Sequence, residues 1–188
     1  MIIIDDFVKD PMLLHDIQDD PVFFLRNGQY MWWNGWWNTE ATSPKQRLIE
    51  YIWNYNCPVG ESFTISGFEY WTNQFEAGSD SVKLDLHFDK DEELWDTKKE
   101  LHTPLMGTVF YPIPMDIDGG YLEIQSKEGD LIERIQAKYN RLIIFPAGEY
   151  PHRVTEVTRG KRSAIAINLW EDEPLGVKEG KNLLEFRH

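Results

Sequence analysis

Two histidines, an aspartate and an arginine have the types and spacing that could support chemistry. His87 and Asp89 lie in VKLDLHFDKDE, whose alternation of apolar and polar residues indicates a β-strand. His152 and Arg162 lie in PHRVTEVTRGKRSAIAINLW, where a turn-like TRGK divides two more alternating runs. Two imidazoles and one carboxylate are the ligand set that leaves open positions on a non-haem Fe(II). A guanidinium beside that metal could bind a carboxylate through two parallel hydrogen bonds.

The alternation predicts which side chains share a face of each strand. In the first strand a polar face opposes an apolar one: Lys83, Asp85, His87 and Asp89 against Val82, Leu84, Leu86 and Phe88. We expect the apolar set to pack outward and the polar set to face an interior that is wet or metallated, because burial is otherwise costly. The last strand is predicted to have one face made of Arg162, Ala164, Ala166, Asn168 and Trp170. Its two alanines leave room for a ligand.

Other segments supply the elements that must position these residues. MIIIDDFV indicates a first strand and MLLHDIQ a short helix. A second helix should start at Ser43, because Ser43, Pro44 and Gln46 suit the N-cap, the first helical position and a capping box. From about residue 62, short strand-like runs are divided by Gly, Pro, Asp and Asn. We expect one domain over residues 1–188. It should be mainly β with flanking helices: a jelly roll, or double-stranded β-helix, at about 62–171, with the N-terminal helices packed on one sheet.

Composition limits the partners of the chain. The net charge of −13, from 32 acidic and 19 basic residues, argues against a broad surface for nucleic acid or for an anionic membrane. Cys57 is the only cysteine, which excludes an intrachain disulfide and a cysteine-based zinc cluster. Neither a signal peptide nor an apolar run of membrane-spanning length is evident. The sequence therefore predicts a soluble, cytoplasmic protein with no nucleic-acid or membrane partner.

Two further features bear on the substrate. The predicted loop QYMWWNGWWN holds four of the eight tryptophans, which could line a groove, close over the metal as a lid, or pack in the core. Asp91, Glu92 and Glu93 follow the first metal strand. They could form an acidic rim for a basic substrate or simply a solvated loop.

At residues 65–171 the chain resembles the 2-oxoglutarate- and Fe(II)-dependent dioxygenases, especially the prolyl-4-hydroxylase-like branch. The resemblance rests on the His-x-Asp pair, the later histidine and the arginine ten residues beyond it. It implies that His87, Asp89 and His152 bind Fe(II) and that Arg162 holds the distal carboxylate of 2-oxoglutarate. Tyr111, in GTVFYPI, matches the tyrosine that assists this carboxylate.

The resemblance extends to other positions, with one departure. DIDGGYLEI matches a Gly-Gly strand entry, in which Gly119 and Gly120 would make a tight turn. Asn168 could contact the cosubstrate or the substrate. Many relatives carry a Ser or Thr soon after the arginine, whereas this chain has Ala164 and Ala166. Carboxylate binding would therefore rely more on Arg162 and Tyr111.

The implied function is hydroxylation of an amino-acid, peptide or small-molecule C–H bond, using O2 and releasing succinate and CO2. Retention of Asp89 favours hydroxylation over halogenation, because a halogenating site needs that ligand position for halide. Two alternatives stay open. One is a cupin-like metalloenzyme that does not use 2-oxoglutarate, in which Arg162 would be structural. The other is a non-catalytic, Trp-rich carbohydrate-binding module.

Overall fold

The computed structural model describes residues 1–20, 30–57 and 64–178. In chain order the elements are β1 (Ile2–Ile4), α1 (Pro11–Gln18), β2 (Met31–Trp33), α2 (Pro44–Glu50), β3 (Gly67–Glu76), β4 (Leu84–His87), α3 (Glu92–Lys98), β5 (Met106–Phe110), β6 (Asp118–Gly119), β7 (Leu122–Gln125), β8 (Leu131–Ile135), β9 (Leu142–Phe145), β10 (His152–Val154), β11 (Val157–Arg159), β12 (Lys161–Trp170) and α4 (Leu175–Lys178). A π-helical turn at Tyr51–Tyr55 extends α2.

Two antiparallel sheets form the framework. The larger has the strand order β1-β9-β5-β12-β3-β2 and the smaller β4-β10-β7-β8, while β6 and β11 form a separate pair. From β3 onward the chain passes repeatedly between the two main sheets, so that most neighbours within each sheet, apart from the consecutive strands β7 and β8, are distant in sequence. This is the topology of a jelly roll. The predicted double-stranded β-helix is confirmed.

The N-terminal helices cover the outer face of the larger sheet. The capping box predicted at Ser43 is present, since the Ser43 side chain accepts from the backbone of Gln46 and the Gln46 side chain accepts from the backbone of Ser43. Buried apolar residues of α1, α2 and the π-helical turn pack in one cluster with those of β12, namely Ile17, Leu48, Ile49, Ile52, Ile165, Ile167 and Leu169. The prediction that these helices pack on one sheet is confirmed. Within the described ranges, no helix is long and apolar enough to cross a membrane.

The inner face of the larger sheet comes mainly from β12 and β3. Arg162 is buried whereas Lys161 is exposed, so the predicted strand register is correct. The inner residues of β12 pair with those of β3 as Arg162 with Phe75, Ala164 with Asn73, Ala166 with Trp71, and Asn168 with Glu69. Directly opposite residues in an antiparallel pair project to the same side. This row therefore faces the space between the two sheets.

The face prediction for β4 is wrong. The strand ends at His87, and its pairing with β10 moves from His87–His152 to Leu84–Val154, which leaves one extra residue on β4. Such a bulge interrupts the two-residue period. Leu84 therefore lines the same cavity as His87, while Asp85 is exposed and Leu86 is half-exposed.

Two segments differ from the predicted element boundaries. The predicted aromatic loop contains an edge strand, β2, which pairs with β3, and HRVTEV is divided between β10 and β11. Trp33 is buried and its ring stacks on Phe68, as does the ring of Trp36. This part of the aromatic cluster packs in the core on the helix side of the sheet. Gln29, residues 62–63 and residues 179–188, which fell within predicted segments, lie outside the described residues.

We expect Trp33, the buried member of the aromatic cluster, to contribute to stability rather than to catalysis. Trp33 is 3% exposed and Trp37 is 44% exposed. Trp33→Ala should lower the free energy of unfolding by roughly 3–5 kcal/mol, because it removes a buried aromatic side chain. Trp37→Ala should cost clearly less. Urea unfolding of both variants beside the wild-type chain measures the difference, and equal losses would contradict the assignment of Trp33 to the core.

Candidate active site

Three potential metal ligands converge between the two sheets. His87 ends β4 and pairs directly with His152, the first residue of β10. Asp89 follows in the loop after β4, where its backbone N–H donates to the carbonyl of Ala147 at 3.0 Å. The Asp89 Oδ1 atom lies 3.4 Å from Nε2 of His87 and 3.6 Å from Nε2 of His152. One candidate ligand atom from each residue lies within 4.8 Å of the others, a spacing that suits a single metal ion.

Hydrogen bonds to the backbone orient both imidazoles. Nδ1 of His87 lies 2.8 Å from the carbonyl oxygen of Asp85, and Nδ1 of His152 lies 3.0 Å from that of Tyr150. A carbonyl can only accept, so each Nδ1 carries the proton and each Nε2 keeps its lone pair. Both Nε2 atoms face Asp89, as they would in a metal site.

The pKa shifts of His152 and Asp89 favour the protonation states that a metal needs, whereas the shift of His87 in the metal-free protein acts against it. Burial lowers the pKa of His152, which keeps its imidazole neutral near neutral pH. Burial also acts to lower the pKa of His87, but the hydrogen bond and charge of Asp89 outweigh it and the net shift is upward. For Asp89, burial acts to raise the pKa, and the two histidines together with Asn168 outweigh it, so the carboxylate stays ionised.

Asn168 contacts the candidate ligand Asp89 directly. Its Nδ2 donates to Oδ2 of Asp89 at 3.0 Å, which leaves Oδ1 directed at the two histidines. The sequence predicts a contact of Asn168 with cosubstrate or substrate, and that remains a prediction. Gly107, opposite Asn168 in β5, makes room for the amide, since a Cβ there would lie 3.2 Å from the Asn168 Oδ1.

Arg162 lines the same pocket as the three candidate ligands, and one nitrogen of its guanidinium group is unpaired among the described residues. Its side chain is 1% exposed, its Nε donates to the carbonyl of Gly120 at 3.0 Å, and its Nη2 donates to the hydroxyl of Tyr111 at 2.9 Å. Nη1 is buried and has no hydrogen-bond partner among the described residues. An unpaired buried N–H is costly, and a carboxylate oxygen would satisfy it. The Tyr111 hydroxyl accepts from Arg162 and so keeps its own proton to donate.

The Gly-Gly step brings the backbone close to Arg162. Gly119 and Gly120 have φ angles of +78° and +64°, a region that favours glycine. A Cβ on Gly120 would lie 3.1 Å from Cδ of Arg162 and 3.0 Å from Cγ2 of Val157. The tight turn predicted for these two glycines is confirmed, and it places the carbonyl that orients the guanidinium.

A larger cavity of about 400 Å³ opens from this pocket. His87, Asp89 and Asn168 line it together with aromatic and acidic residues, among them Tyr30, Glu69, Trp71, Phe75, Asp91 and Glu92. Sequence reasoning missed Glu69 and Trp71. Both faces of β3 are buried, so its sequence lacks the contrast of polar and apolar residues that reveals an inner face. An acidic residue near the start of this mostly buried strand was the available signal.

Of the three residues predicted to form an acidic rim, Asp91 and Glu92 line the larger cavity. Asp91 is buried and caps α3 by accepting from the backbone N–H of Leu94 at 3.0 Å. Glu92 accepts from the ammonium of Lys90 at 2.8 Å. Asp91 and Glu92 do line the larger cavity, and both already serve local structure.

Comparison with known proteins identifies the family. The sequence model described as the 2OG-Fe(II) oxygenase superfamily matches residues 71–170. A PKHD-type hydroxylase from Pseudomonas paraeruginosa is 27% identical over 120 residues, which cover 63% of this chain and 50% of that protein. A PKHD-type hydroxylase from Synechococcus sp. is 38% identical over 90 residues, 48% of this chain and 37% of that protein. The chain therefore matches half the length of these curated relatives or less.

Solved structures share the fold. A Pseudomonas putida prolyl-4-hydroxylase superposes with a TM-score of 0.61 at 16% identity, covering 92% of both chains. The 2OG complex of a viral collagen prolyl hydroxylase from Paramecium Bursaria Chlorella virus-1 gives a TM-score of 0.57 at 15% identity, covering 92% of this chain and 96% of that one.

The family consists of enzymes that use Fe(II), 2-oxoglutarate and O2, so the predicted cofactors are confirmed at the level of the family. The cupin-like enzyme without 2-oxoglutarate and the carbohydrate-binding module both lie outside it. By sequence and by its prolyl-4-hydroxylase-like fold, this chain belongs to the 2OG-Fe(II) oxygenase superfamily.

Proposed function

We propose that this chain hydroxylates an amino-acid, peptide or small-molecule C–H bond with Fe(II) and 2-oxoglutarate. One observation supports this most strongly: a buried arginine with a free donor, Nη1 of Arg162, lines the same pocket as His87, Asp89 and His152. A metal site alone would fit many reactions. A metal site with an unpaired buried cation beside it fits a metal-bound cosubstrate that has a second, distal carboxylate.

Each residue then has a defined task. His87, Asp89 and His152 hold the metal, and Asn168 fixes the orientation of Asp89. Bound Fe(II), 2-oxoglutarate and O2 supply the oxidation, in which one oxygen atom enters the substrate as hydroxyl, the other enters succinate, and CO2 leaves.

The other inner residues hold the cosubstrate in place. Arg162 and Tyr111 bind the distal carboxylate, with Nη1 and the tyrosine proton as donors. The small side chains of Ala164 and Ala166 leave space for the cosubstrate chain, and the surrounding buried residues exclude water.

The larger cavity supports the proposed substrate class. Its volume of about 400 Å³ lies within the range of small-molecule sites and can also hold one side chain of a peptide. Solved structures with this fold include a prolyl hydroxylase in complex with a hypoxia inducible factor peptide fragment from Trichoplax adhaerens. A peptide or a small molecule is therefore the proposed partner.

Metal binding tests the triad. Wild-type protein given Fe(II) and 2-oxoglutarate without O2 should develop a visible absorption band that needs both ligands. His152→Ala should lose the band and bind Fe(II) much more weakly, because it removes one of three protein ligands. His15→Ala, at an exposed helix residue, is the matched control and should behave as the wild type. Unchanged iron affinity in His152→Ala would remove His152 from the site.

Cosubstrate affinity tests Arg162. Arg162→Ala should weaken 2-oxoglutarate binding by about 2–5 kcal/mol and spare metal binding, because it removes a buried charged contact. Arg162→Lys should restore only part of the affinity, since an ammonium lacks the planar fork of a guanidinium. Calorimetry with Mn(II) as the metal measures both. Arg159→Ala, which removes an exposed arginine paired with Asp116 and Asp118, is the control. Equal affinity in wild type and Arg162→Ala would refute the assignment.

Asn168 can be assigned by comparing two affinities. If it acts through Asp89, Asn168→Ala should weaken Mn(II) binding by roughly 10–100-fold, as is typical for residues that orient metal ligands. Its affinity for 2-oxoglutarate at saturating Mn(II) should stay close to that of the wild type. The opposite result, with metal affinity retained and 2-oxoglutarate affinity lost, would instead support the cosubstrate contact predicted from the sequence.

A further inference from the structure

Glu69 is a buried carboxylate that the proposed reaction does not use. It lies near the start of β3, is 7% exposed and lines the larger cavity. Its direct partners are Trp32 on β2 and Asn168 on β12, and Asn168 in turn donates to Asp89. Glu69 therefore projects from the inner face beside the residue that orients a candidate metal ligand.

No cationic side chain balances this carboxylate in the described part of the protein. Lys83 and Lys90 line the same cavity, but Lys83 is paired with Asp85 at 2.9 Å and Lys90 with Glu92 at 2.8 Å. The indole N–H of Trp170 is close enough to lower the pKa of Glu69, although it forms no hydrogen bond of standard geometry.

The surroundings make ionisation of Glu69 unfavourable. Burial, and then the negative charge of Asp89, raise the pKa of Glu69 to about 8. The free protein therefore holds this carboxyl largely protonated near neutral pH. A cation placed beside it would reverse the shift and recover the cost of burying the charge.

Two aromatic rings line the cavity together with Glu69. The rings of Tyr30 and Trp71 lie 4.9 Å apart, and both residues line the cavity with Glu69. Burial, and then the carboxylates of Glu69 and Asp89, raise the pKa of the Tyr30 hydroxyl, so Tyr30 lies near both acidic groups. Aromatic faces attract ammonium and guanidinium groups, most strongly where water is excluded.

We propose that this cavity binds a substrate with a cationic amine or guanidinium group, with Glu69 as its counter-ion and Tyr30 and Trp71 packed against it. The inference rests on the proposed function, because it names the substrate class of the same site. A cation held at Glu69 would sit beside Asn168. Its aliphatic stem would then lie in the cavity that His87 and Asp89 line.

The test compares ligands that differ in charge and little in shape. The cationic probes are the α-acetylated amides of arginine and lysine. The neutral probes are the same derivatives of citrulline and norleucine, and the anionic probe is the same derivative of glutamate. Binding is measured by calorimetry to wild-type protein, both metal-free and loaded with Mn(II) and 2-oxoglutarate. Free lysine and a glycine-flanked lysine pentapeptide distinguish a free amino acid from a peptide as the source of the cation.

Glu69→Gln tests the counter-ion itself, because it keeps the shape and removes the charge. Glu76→Gln is the matched control, since Glu76 lies on the same strand but is exposed. We expect the cationic probes to bind wild type roughly tenfold or more tightly than their neutral counterparts, because hydrogen bonds to charged groups contribute more free energy than those between neutral groups. This preference should disappear in Glu69→Gln and persist in Glu76→Gln.

The outcomes separate this inference from the proposed function. If Mn(II) and 2-oxoglutarate bind but wild type shows no preference for the cationic probes, or binds none of the probes, only the substrate class is wrong. A preference that persists in Glu69→Gln would remove Glu69 as the counter-ion. If 2-oxoglutarate fails to bind, the proposed function fails, while the metal-free measurement still decides the inference. Should Glu69→Gln not fold, the charge series on wild type decides alone.

Discussion

The antiparallel ladder between β3 and β12 joins the core to the candidate site. It has ten consecutive residue pairs, from Lys161–Glu76 to Trp170–Gly67. Its outer side packs the N-terminal helices through Ile165 and Ile167. On β12 the alternate residues, among them Arg162 and Asn168, face the interior. Because the strand has a two-residue period, a register shift of one residue would move the apolar set inward and the polar set outward. Core packing therefore fixes where the polar groups of the site lie.

The two ends of this ladder suit ligand groups of opposite charge. Arg162 and Asn168 are six residues apart, which is roughly 20 Å along an extended strand. The arginine end has an unpaired donor and suits an anion. The other end has Glu69 beside Asn168 and, among the described residues, no cationic side chain to balance it. The proposed anionic cosubstrate and the proposed cationic substrate would thus be attracted to different parts of one cavity. Electrostatic separation of this kind disfavours the exchange of one ligand for the other.

The sequence predicted some parts of this arrangement well, and the reasons are physical. β12 is long and unbroken, so its alternation identified the inner face with Arg162 and Asn168 correctly. His87, Asp89 and His152 were singled out because they match a known ligand pattern, and the structure brings the three side chains together. Glu69 was missed because β3 is buried on both faces. The Trp-rich segment was predicted to be a loop, since its pairing as β2 depends on β3, a distant partner that local pattern does not reveal.

The β4 error shows how the metal site depends on contacts far away in sequence. The bulge breaks the alternation before His87, and the strand ends there, so strand geometry cannot place Asp89. Two distant groups place it instead. The carbonyl of Ala147 holds its backbone and the amide of Asn168 holds its carboxylate. A loop residue whose backbone and side chain are both held by hydrogen bonds can be as well positioned as a residue in a strand. The His-x-Asp motif therefore names two candidate ligands, but the jelly roll must bring β9 and β12 alongside before they can act as a site.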